Sequence, residues 1–323
     1  MSQWCVGVDL GGTNVKFGLL DDTGQPGPTL LLPTPGGGGS GGVIDQIVTG
    51  ARTLMKRAGL ANGQVRGVGI GAPGPLRISE GIVVAMPNIP GMEQCPLRDR
   101  VGAGLGLPAV LENDANAAAY GEFIAGAGRK TRDMVMLTLG TGLGSGIIID
   151  GRILHGSHEI GGELGHTIVA PDGEPCNCGQ RGCLERYCSA TFLAERTARA
   201  VRAGAAPTRL REALEAHGTL TARDIHEAVR RGDELARKAW DEGIYYLAIG
   251  CVNICRILDP DRIVLSGGMT LAGEDLMGPL REHVRRLHWS ITPLRTELAL
   301  ASLGADAGVI GAAGVAWQAL RLP

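Results

Sequence analysis

Residues 4–20 read WCVGVDLGGTNVKFGLL, and this pattern sets the architecture of the chain. Two short apolar runs, Trp4 to Leu10 and Val15 to Leu20, flank the turn Gly11-Gly12-Thr13-Asn14. Because glycine tolerates tight turns, the pattern predicts a β-hairpin rather than a strand followed by a helix. Residues 134–149 repeat it as MVMLTLGTGLGSGIII, which indicates an internal duplication.

Helical and extended patterns are mixed along the rest of the chain. Residues 43–58 have the apolar spacing of a helix, residues 65–71 that of a strand, and Asp114 is a good cap for a further helix. This mixture predicts an α/β protein with two lobes and a cleft between them. We expect a small lobe over 1–113, completed by a C-terminal helix over 305–323. A large lobe over 114–304 would carry a cysteine-rich segment and a helical insertion.

Composition restricts the classes of function. The 323 residues suggest about two domains, and the net charge of −2 offers no basic excess for a nucleic-acid partner. No apolar run reaches 18 residues and no signal peptide is visible, so we expect no membrane span. The eight cysteines, mostly in apolar surroundings, suit a reducing cytoplasm with one metal site better than a disulfide framework.

A cysteine-rich segment carries the strongest local signal. Three cysteines follow a histidine within 17 positions, and Cys₃His is a ligand set that closes a tetrahedral zinc site. A closed set predicts a structural zinc, because a catalytic zinc keeps a position open for water. The alternative is a reduced surface loop without metal. The ligands would be His166, Cys176, Cys178 and Cys183, with Glu163 and Glu185 beside them as candidate ligands of a polyhydroxyl compound.

Three glycine segments are candidates for binding phosphate. Asp9 to Thr13 and Leu139 to Gly144 each combine glycines with a threonine, and Gly267-Gly268 adds a third segment. Glycines let the backbone approach a phosphate, and exposed amides donate to it. None matches the Gly-Lys-Ser/Thr loop or the dinucleotide fingerprint, and ordinary hairpin turns are the alternative.

Asn113 and Asp114 follow a predicted strand at its carboxyl end. An aspartate in that place can accept a proton from a hydroxyl that attacks a phosphoryl group. From spacing alone, the alternative is that Asp114 only caps the following helix.

Six segments together resemble the ROK family of sugar kinases and repressors, within the actin/hexokinase-like ATPases. The resemblance implies a two-lobed fold with a duplicated ribonuclease H-like motif. The segments are VDLGGT (8–13), ENDANA (112–117), LGTGLGSG (139–146), GGELGH (161–166), CNCGQRGCLE (176–185) and IVLSGG (263–268).

The resemblance also implies roles for residues. It makes Asp114 the catalytic base and implies ATP, Mg²⁺ and a structural Zn²⁺ as cofactors. Asn14 departs from the lysine common in the family, and neither Asn14 nor Lys16 receives a role. The implied sugar-binding residues are Gly74, Asn88, Asn113, Asp114, Glu163, His166 and Glu185. The implied nucleotide and Mg²⁺ residues are Asp9, Gly11, Gly12, Thr13, Thr141, Gly142, Gly267 and Gly268.

The reaction implied by the resemblance is transfer of the ATP γ-phosphoryl group to the primary hydroxyl of a hexose. Glucose is the first choice, and N-acetylglucosamine, N-acetylmannosamine and fructose are alternatives. A sugar-responsive regulator without kinase activity is less favoured, since repressors of the family carry an N-terminal extension and only eight residues precede Asp9. The resemblance further implies a homodimer in which the large lobe supplies the contact. The glycine-rich loop 36–42 receives no role.

Overall fold

A computed structural model describes residues 2–61, 63–86, 89–204 and 206–320. The strands are β1 (Trp4–Leu10), β2 (Asn14–Asp21), β3 (Pro26–Pro33), β4 (Val65–Ala72), β5 (Leu76–Arg77), β6 (Ile82–Val83), β7 (Ala109–Asn113), β8 (Met134–Leu139), β9 (Leu143–Ile149), β10 (Arg152–Ile153), β11 (Arg262–Ser266) and β12 (Glu297–Leu300). The helices are α1 (Gly39–Arg57), α2 (Leu97–Leu105), α3 (Asp114–Ala125), α4 (Glu185–Cys188), α5 (Ala190–Arg202), α6 (Leu210–His217), α7 (Ala222–Arg230), α8 (Glu234–Ile257), α9 (Glu274–Leu287) and α10 (Ala307–Leu320).

Two five-stranded sheets have the same strand order. The first runs β3-β2-β1-β4-β7 and the second β10-β9-β8-β11-β12. In the first, β2 is antiparallel to β1, with Leu10 opposite Val15, and β4 and β7 continue in parallel. In the second, β8, β11 and β12 are parallel. The predicted α/β class and the predicted duplication are confirmed, and the duplication extends beyond the hairpins to the whole sheet.

Glycines bring α10 unusually close to the first sheet. A Cβ atom on Gly7 of β1 would lie 1.8 Å from the carbonyl oxygen of Val309, and one on Gly69 of β4 would lie 1.8 Å from that of Ala312. A Cβ on Gly311 would lie 1.6 Å from the carbonyl oxygen of Ala117 in α3. Strand, α10 and α3 therefore meet backbone to backbone, and this packing fixes the start of α3 against the sheet.

The chain divides into two units at other boundaries than the sequence suggested. The first unit comprises 1–132, 146–161 and 301–323, and the second comprises 133–145 and 162–300. Helix α3 belongs to the first unit, although the predicted boundary at 113/114 assigned it to the large lobe. The reason is packing against α10, reinforced by Glu122, whose carboxylate accepts hydrogen bonds from the amides of Ser302 and Leu303.

Several elements differ from the sequence-based expectation. The first helix begins at Gly39, inside the glycine-rich stretch, and not at Val43. The charged helical region after Leu193 comprises α5, α6, α7 and the start of the long α8. Strands β3 and β12 were not predicted. Among the described helices, none combines the length and apolar character needed to cross a membrane.

Candidate functional site

The junction between β7 and α3 holds the predicted base. Asn113 ends the strand, and its side-chain oxygen accepts hydrogen bonds from the amides of Ala115 (2.9 Å) and Asn116 (3.2 Å). Asn113 is therefore the cap of α3, and the prediction that Asp114 caps this helix is wrong. Asp114 is the first helical residue, and one of its carboxylate oxygens accepts from the amide of Ala115 at 2.8 Å. Its carboxylate thus sits on the first turn, at the carboxyl end of the strand.

The carboxyl groups of Asp9 and Asp114 lie close enough to interact within the first unit. The pKa of Asp9 is raised to about 6, chiefly by burial and to a smaller extent by the nearby Asp114 charge, while Lys16 opposes both effects. Burial also raises the pKa of Asp114, against the hydrogen bond from Ala115. Both groups therefore titrate closer to neutral pH than an ordinary aspartate, and the pair is a place where a cation would be favoured.

Lys16 and Gly308 fix the surroundings of Asp9. Lys16 lies opposite Asp9 across the β1–β2 hairpin, 2.7 Å from the Asp306 carboxylate, and donates to the carbonyl of Ala305. A Cβ on Gly308 would lie 2.5 Å from the Asp9 carboxylate, so glycine is needed at the start of α10. Sequence reasoning gave Lys16 no role, because cross-strand register is not readable from spacing alone.

The turn between β1 and β2 is held at its first residue. The amide of Gly11 donates to the carbonyl of Asn14, and the Thr34 hydroxyl donates to the carbonyl of Gly11 at 2.6 Å. Gly12 and Thr13 are exposed. Their backbone amides and the threonine hydroxyl are accessible in the way that a phosphate-binding turn requires.

A buried carboxylate beside this junction was missed by the sequence analysis. Glu112 lies one residue before Asn113, and its Oε2 is 2.7 Å from Nε2 of His155. Its Oε1 accepts from the amide of Asn113 (2.9 Å) and the side chain of Asn116 (3.0 Å). No sequence signal pointed to His155, since it is 43 positions away from Glu112 and reaches it only through the fold.

In the second unit, two predicted glycine segments lie at one sheet edge. Strands β8 and β11 are parallel, with Ser266 paired to Thr138. Gly267 has φ of 92°, and a Cβ there would lie 2.4 Å from the carbonyl oxygen of Leu139. The turn 140–142 and Gly267-Gly268 therefore meet at the carboxyl ends of neighbouring strands, the edge where open α/β sheets bind ligands. Thr141 is exposed and Gly142 half-buried.

A cavity of about 510 Å³ opens at Gly268. Its walls include Ala190 at the start of α5 and the rings of His226 and Trp240, which stack with centroids 5.2 Å apart. Arg223 and Arg230 also line it. The volume is within the usual range for small-molecule sites, and stacked rings beside cationic side chains suit a planar, anionic ligand. Helix α7 supplies the two arginines and His226, and α8 supplies Trp240. The sequences of these helices carry no motif that would have identified the cavity.

The four predicted zinc ligands converge. The ligand atoms of His166, Cys176, Cys178 and Cys183 all lie within 4.8 Å of one another. Nδ1 of His166 is 3.7 Å from Sγ of Cys176, and Sγ of Cys178 is 3.6 Å from Sγ of Cys183. Bonds of about 2.3 Å from zinc to sulfur place two tetrahedral ligands about 3.8 Å apart. The spacing therefore fits a zinc ion and is far too long for a disulfide.

Backbone hydrogen bonds shape the segment that carries the cysteines. The amide of Cys176 donates to the carbonyl of Gln180, and that of Gly182 donates to the carbonyl of Glu174. Gly182 has φ of 74°, and a Cβ there would lie 1.6 Å from the carbonyl oxygen of Ala170. The turn is therefore closed by close backbone approaches that only glycine permits.

Glu185 connects this cluster to the glycine turn. One oxygen lies 3.5 Å from Sγ of Cys176, and the other accepts from the amide of Leu143 at 3.2 Å. A Cβ on Gly142 would lie 2.8 Å from the same carboxylate. The Glu185 carboxylate therefore contacts both the cysteine cluster and the turn 140–144.

Glu163 and His166 lie on a short segment anchored to β9. The Ser145 hydroxyl donates to the carbonyl of Gly162 and accepts from the amide of Leu164. Glu163 is exposed and His166 half-buried, with its Nδ1 facing the cysteines. The carboxylate of Glu163 is therefore open to a ligand, while one nitrogen of His166 is committed to the cluster.

Of the two remaining predicted sugar residues, Gly74 lies in the loop between β4 and β5. Gly74 has φ of 94°, and a Cβ there would lie 2.5 Å from the carbonyl oxygen of Ala85, so its position requires glycine. Asn88 lies outside the described residues.

Comparison with known proteins agrees with these features. The ROK family profile matches residues 5–319. A glucokinase of Halalkalibacterium halodurans is 36% identical over 310 residues, covering 96% of this chain and 93% of that protein. The crystal structure of a ROK hexokinase from Thermus thermophilus superposes with a TM-score of 0.84 at 33% identity, covering 99% of both chains. A ROK glucokinase from Streptomyces griseus, solved with glucose and AMPPNP, gives 0.76 at 34% identity over 98% of this chain and 99% of that one. With this match along nearly its whole length, carried by the Asn113-Asp114 junction, the glycine turns and the cysteine cluster, the chain belongs to the ROK family.

Proposed function

We propose that this protein is an ATP-dependent hexose kinase that converts glucose to glucose 6-phosphate. The observation that carries the proposal is the half-buried Asp114 carboxylate at the end of β7, beside Asn113 and with its pKa raised. The similarity to proteins named glucokinase and hexokinase supports the sugar class. The Streptomyces griseus structure, which holds glucose and an ATP analogue, supports both substrates.

Asp114 acts as the general base in this proposal. It takes the proton of the 6-hydroxyl while that oxygen forms a bond to the γ-phosphorus, and the bond from this phosphorus to the bridging oxygen of ADP breaks. A base works best with a pKa near the operating pH, and burial moves Asp114 in that direction. Mg²⁺ bound with ATP would neutralise phosphate charge, and Asp9 beside Asp114 is the residue we expect to hold it.

The sugar contacts are proposed from exposure and donor type. Glu163, Glu185 and Asn113 offer oxygens to hydroxyl groups, and Gly74 and Asn88 are proposed to complete the contacts. If Nδ1 of His166 binds zinc, its Nε2 stays available to the sugar, and the metal fixes the ring. The zinc would be structural, because four protein ligands leave it no open position.

The nucleotide contacts are proposed from the glycine segments. The exposed amides of the turn 11–13 and of Thr141-Gly142 would donate to phosphate oxygens. Gly267-Gly268 and the adjoining cavity with Trp240 and His226 would receive the adenosine. All partners proposed are small molecules. The cytoplasm is the proposed location, since ATP is the donor and the cysteines of the described residues form no disulfide.

A coupled assay over a hexose panel tests the proposal. We expect glucose to give the highest kcat/KM, with phosphate found on its 6-hydroxyl by NMR. A site that reads hydroxyls penalises analogues that lack one, so 2-deoxyglucose should be poorer. A higher kcat/KM for N-acetylglucosamine, N-acetylmannosamine or fructose would overturn the choice of glucose and keep the kinase. No phosphorylation of any hexose would overturn the kinase itself.

The matched control in this assay is Asp114→Asn, which keeps the size of the side chain and removes the base. We expect kcat to fall by about 10²–10⁴-fold, the usual contribution of general-base catalysis, with the fold retained by circular dichroism. A folded variant that keeps more than about a tenth of the wild-type kcat would contradict the assignment of Asp114 as base.

A further inference from the structure

A buried ion pair lies directly behind the proposed base. The Glu112 side chain is 2% exposed and that of His155 is 34% exposed, with Oε2 and Nε2 2.7 Å apart. Hydrogen bonding to Glu112 raises the pKa of His155, against its partial burial, and Glu159 adds a smaller contribution. His155 is therefore favoured in its charged form, as a buried carboxylate requires of its partner.

The second oxygen of Glu112 binds one residue on each side of Asp114, Asn113 before it and Asn116 after it. It accepts from the amide of Asn113 at 2.9 Å and from the side-chain amide of Asn116 at 3.0 Å. Asn113 in turn caps α3 through the amides of Ala115 and Asn116. Asp114 thus lies between Asn113 and Asn116, and the first turn of α3 cannot rotate without breaking these bonds.

We propose that Glu112 and His155 are a positioning pair that sets the orientation of the Asp114 carboxylate towards the acceptor hydroxyl. His155 holds the Glu112 side chain in place through the contact from Nε2 to Oε2, and Glu112 fixes the β7–α3 junction. Neither residue touches the substrate in this proposal, which rests on the kinase activity proposed above. Displacement of a catalytic base by about 1 Å can lower the reaction rate by about 10²-fold. The pair can therefore have a large effect on the rate without touching the substrate.

The variants His155→Leu and His155→Gln separate loss of the pair from loss of charge alone. Leucine removes the hydrogen-bond donor to Glu112, whereas glutamine retains a hydrogen-bond donor that carries no charge. We expect kcat to fall by about 10²-fold in His155→Leu and by about tenfold or less in His155→Gln, with KM for glucose and ATP little changed. His158→Gln, an exposed histidine three positions away, is the matched control and should keep the wild-type kcat.

A double-mutant cycle distinguishes positioning from general damage. If His155 acts through Asp114, then His155→Leu should cost nothing further in the Asp114→Asn background, because no base is left to orient. Equal losses of kcat in both backgrounds, or an unchanged kcat in folded His155→Leu, would overturn the proposal.

Amide hydrogen exchange tests the pair without relying on activity. Exchange over residues 112–116 should be faster in Glu112→Gln than in the wild type, because the substitution disturbs the carboxyl group that accepts from the amide of Asn113 and contacts His155. Unchanged exchange overturns the positioning pair even if the enzyme is active. If exchange is faster in Glu112→Gln but the wild-type protein phosphorylates no hexose, the Glu112–His155 contact is upheld and the kinase function is overturned. Failure of the positioning pair and failure of the kinase function are therefore distinguishable.

Discussion

The raised pKa values of individual carboxyl groups distinguish this site most clearly from an ordinary protein surface. Asp9 and Asp114 are both half-buried, and removal from water disfavours the charged form of each. Lys16 offsets part of this cost at Asp9. The site is therefore built from carboxylates whose ionisation costs free energy and which become useful when a cation or a substrate proton arrives.

The pKa of Asp9 predicts a pH dependence of stability. The folded protein holds the pKa of Asp9 at about 6, against 3.8 for the free side chain. Between these values the folded state binds more protons than the unfolded state, so the free energy of unfolding should fall as pH rises from about 4 to about 6. At about 1.36 kcal/mol per pKa unit, the change attributable to Asp9 is about 3 kcal/mol.

Asp9→Asn removes this titration at constant side-chain size. Urea unfolding of both proteins across the same pH range measures the difference between them. The variant should gain stability relative to the wild type as pH rises, and most of the gain should appear before pH 7. Two parallel profiles would contradict the raised pKa of Asp9.

Sequence reasoning at this scale offers candidates where residue chemistry and chain position coincide. Asp114 after a strand was a candidate base from its position alone. That Asn113 rather than Asp114 caps the helix depends on backbone angles at the junction, with Asn113 extended at φ −67°, ψ 144°. The link between Glu112 and His155 depends on distant strands and was not predictable from spacing.

Among the elements, the segment from His166 to Cys183 has the most specific architecture. Its ligand atoms converge although Cys178 is exposed and Cys183 is buried. Glu185 follows it directly and holds the amide of Leu143. Loss of a metal from this segment is therefore expected to disturb both the orientation of His166 and the glycine turn.

We predict about one zinc ion per chain, from the single four-ligand set. Elemental analysis of untagged protein measures it. Cys178→Ser should lose the metal and most activity, because the remaining ligands no longer close the site. Cys255→Ser, at a buried cysteine outside the cluster, is the control and should retain zinc. Wild-type protein purified active but free of zinc would refute this prediction.

Two glycines of the segment allow a matched test of its packing. Both Gly179 and Gly182 have positive φ, of 91° and 74°, but a Cβ on Gly179 meets open space and one on Gly182 would collide with the carbonyl of Ala170. Gly179→Ala should cost about 1–2 kcal/mol of backbone strain. Gly182→Ala should cost clearly more and lower zinc content. Equal melting temperatures for the two variants would contradict the close approach.

At the scale of the whole molecule, the two five-stranded sheets have the same topology, because their strand orders are equivalent. Each sheet starts from a hairpin with a glycine turn, and each continues through parallel strands. In the first sheet, Asp9 ends β1 and Asn113 ends β7. In the second, the turn 140–142 follows β8 and Gly267 follows β11. The predicted site residues therefore cluster at strand ends in both copies.

The family resemblance predicts a homodimer, with the helix-rich unit supplying the contact. Sedimentation at micromolar concentration should give a species of twice the 33.6 kDa chain mass. Hydrogen exchange at nanomolar and micromolar concentrations should locate protection within 162–300. A species of the chain mass alone, at all concentrations, would exclude the dimer and leave the kinase proposal intact.

The sequence by itself determined the class of the fold, the hairpin duplication, the four candidate zinc ligands and the candidate base. These features are local, since hydrophobic period, turn glycines and ligand spacing act over a few neighbouring residues. Only the tertiary structure decided the unit boundaries, the capping role of Asn113, the Glu112–His155 pair and the cavity beside Gly268. The cap at Asn113 depends on the backbone angles of the β7–α3 junction, and the other features depend on contacts between residues far apart in the chain. Such contacts arise when packing excludes water and forces buried polar groups to find partners, and no local pattern encodes which partner they find.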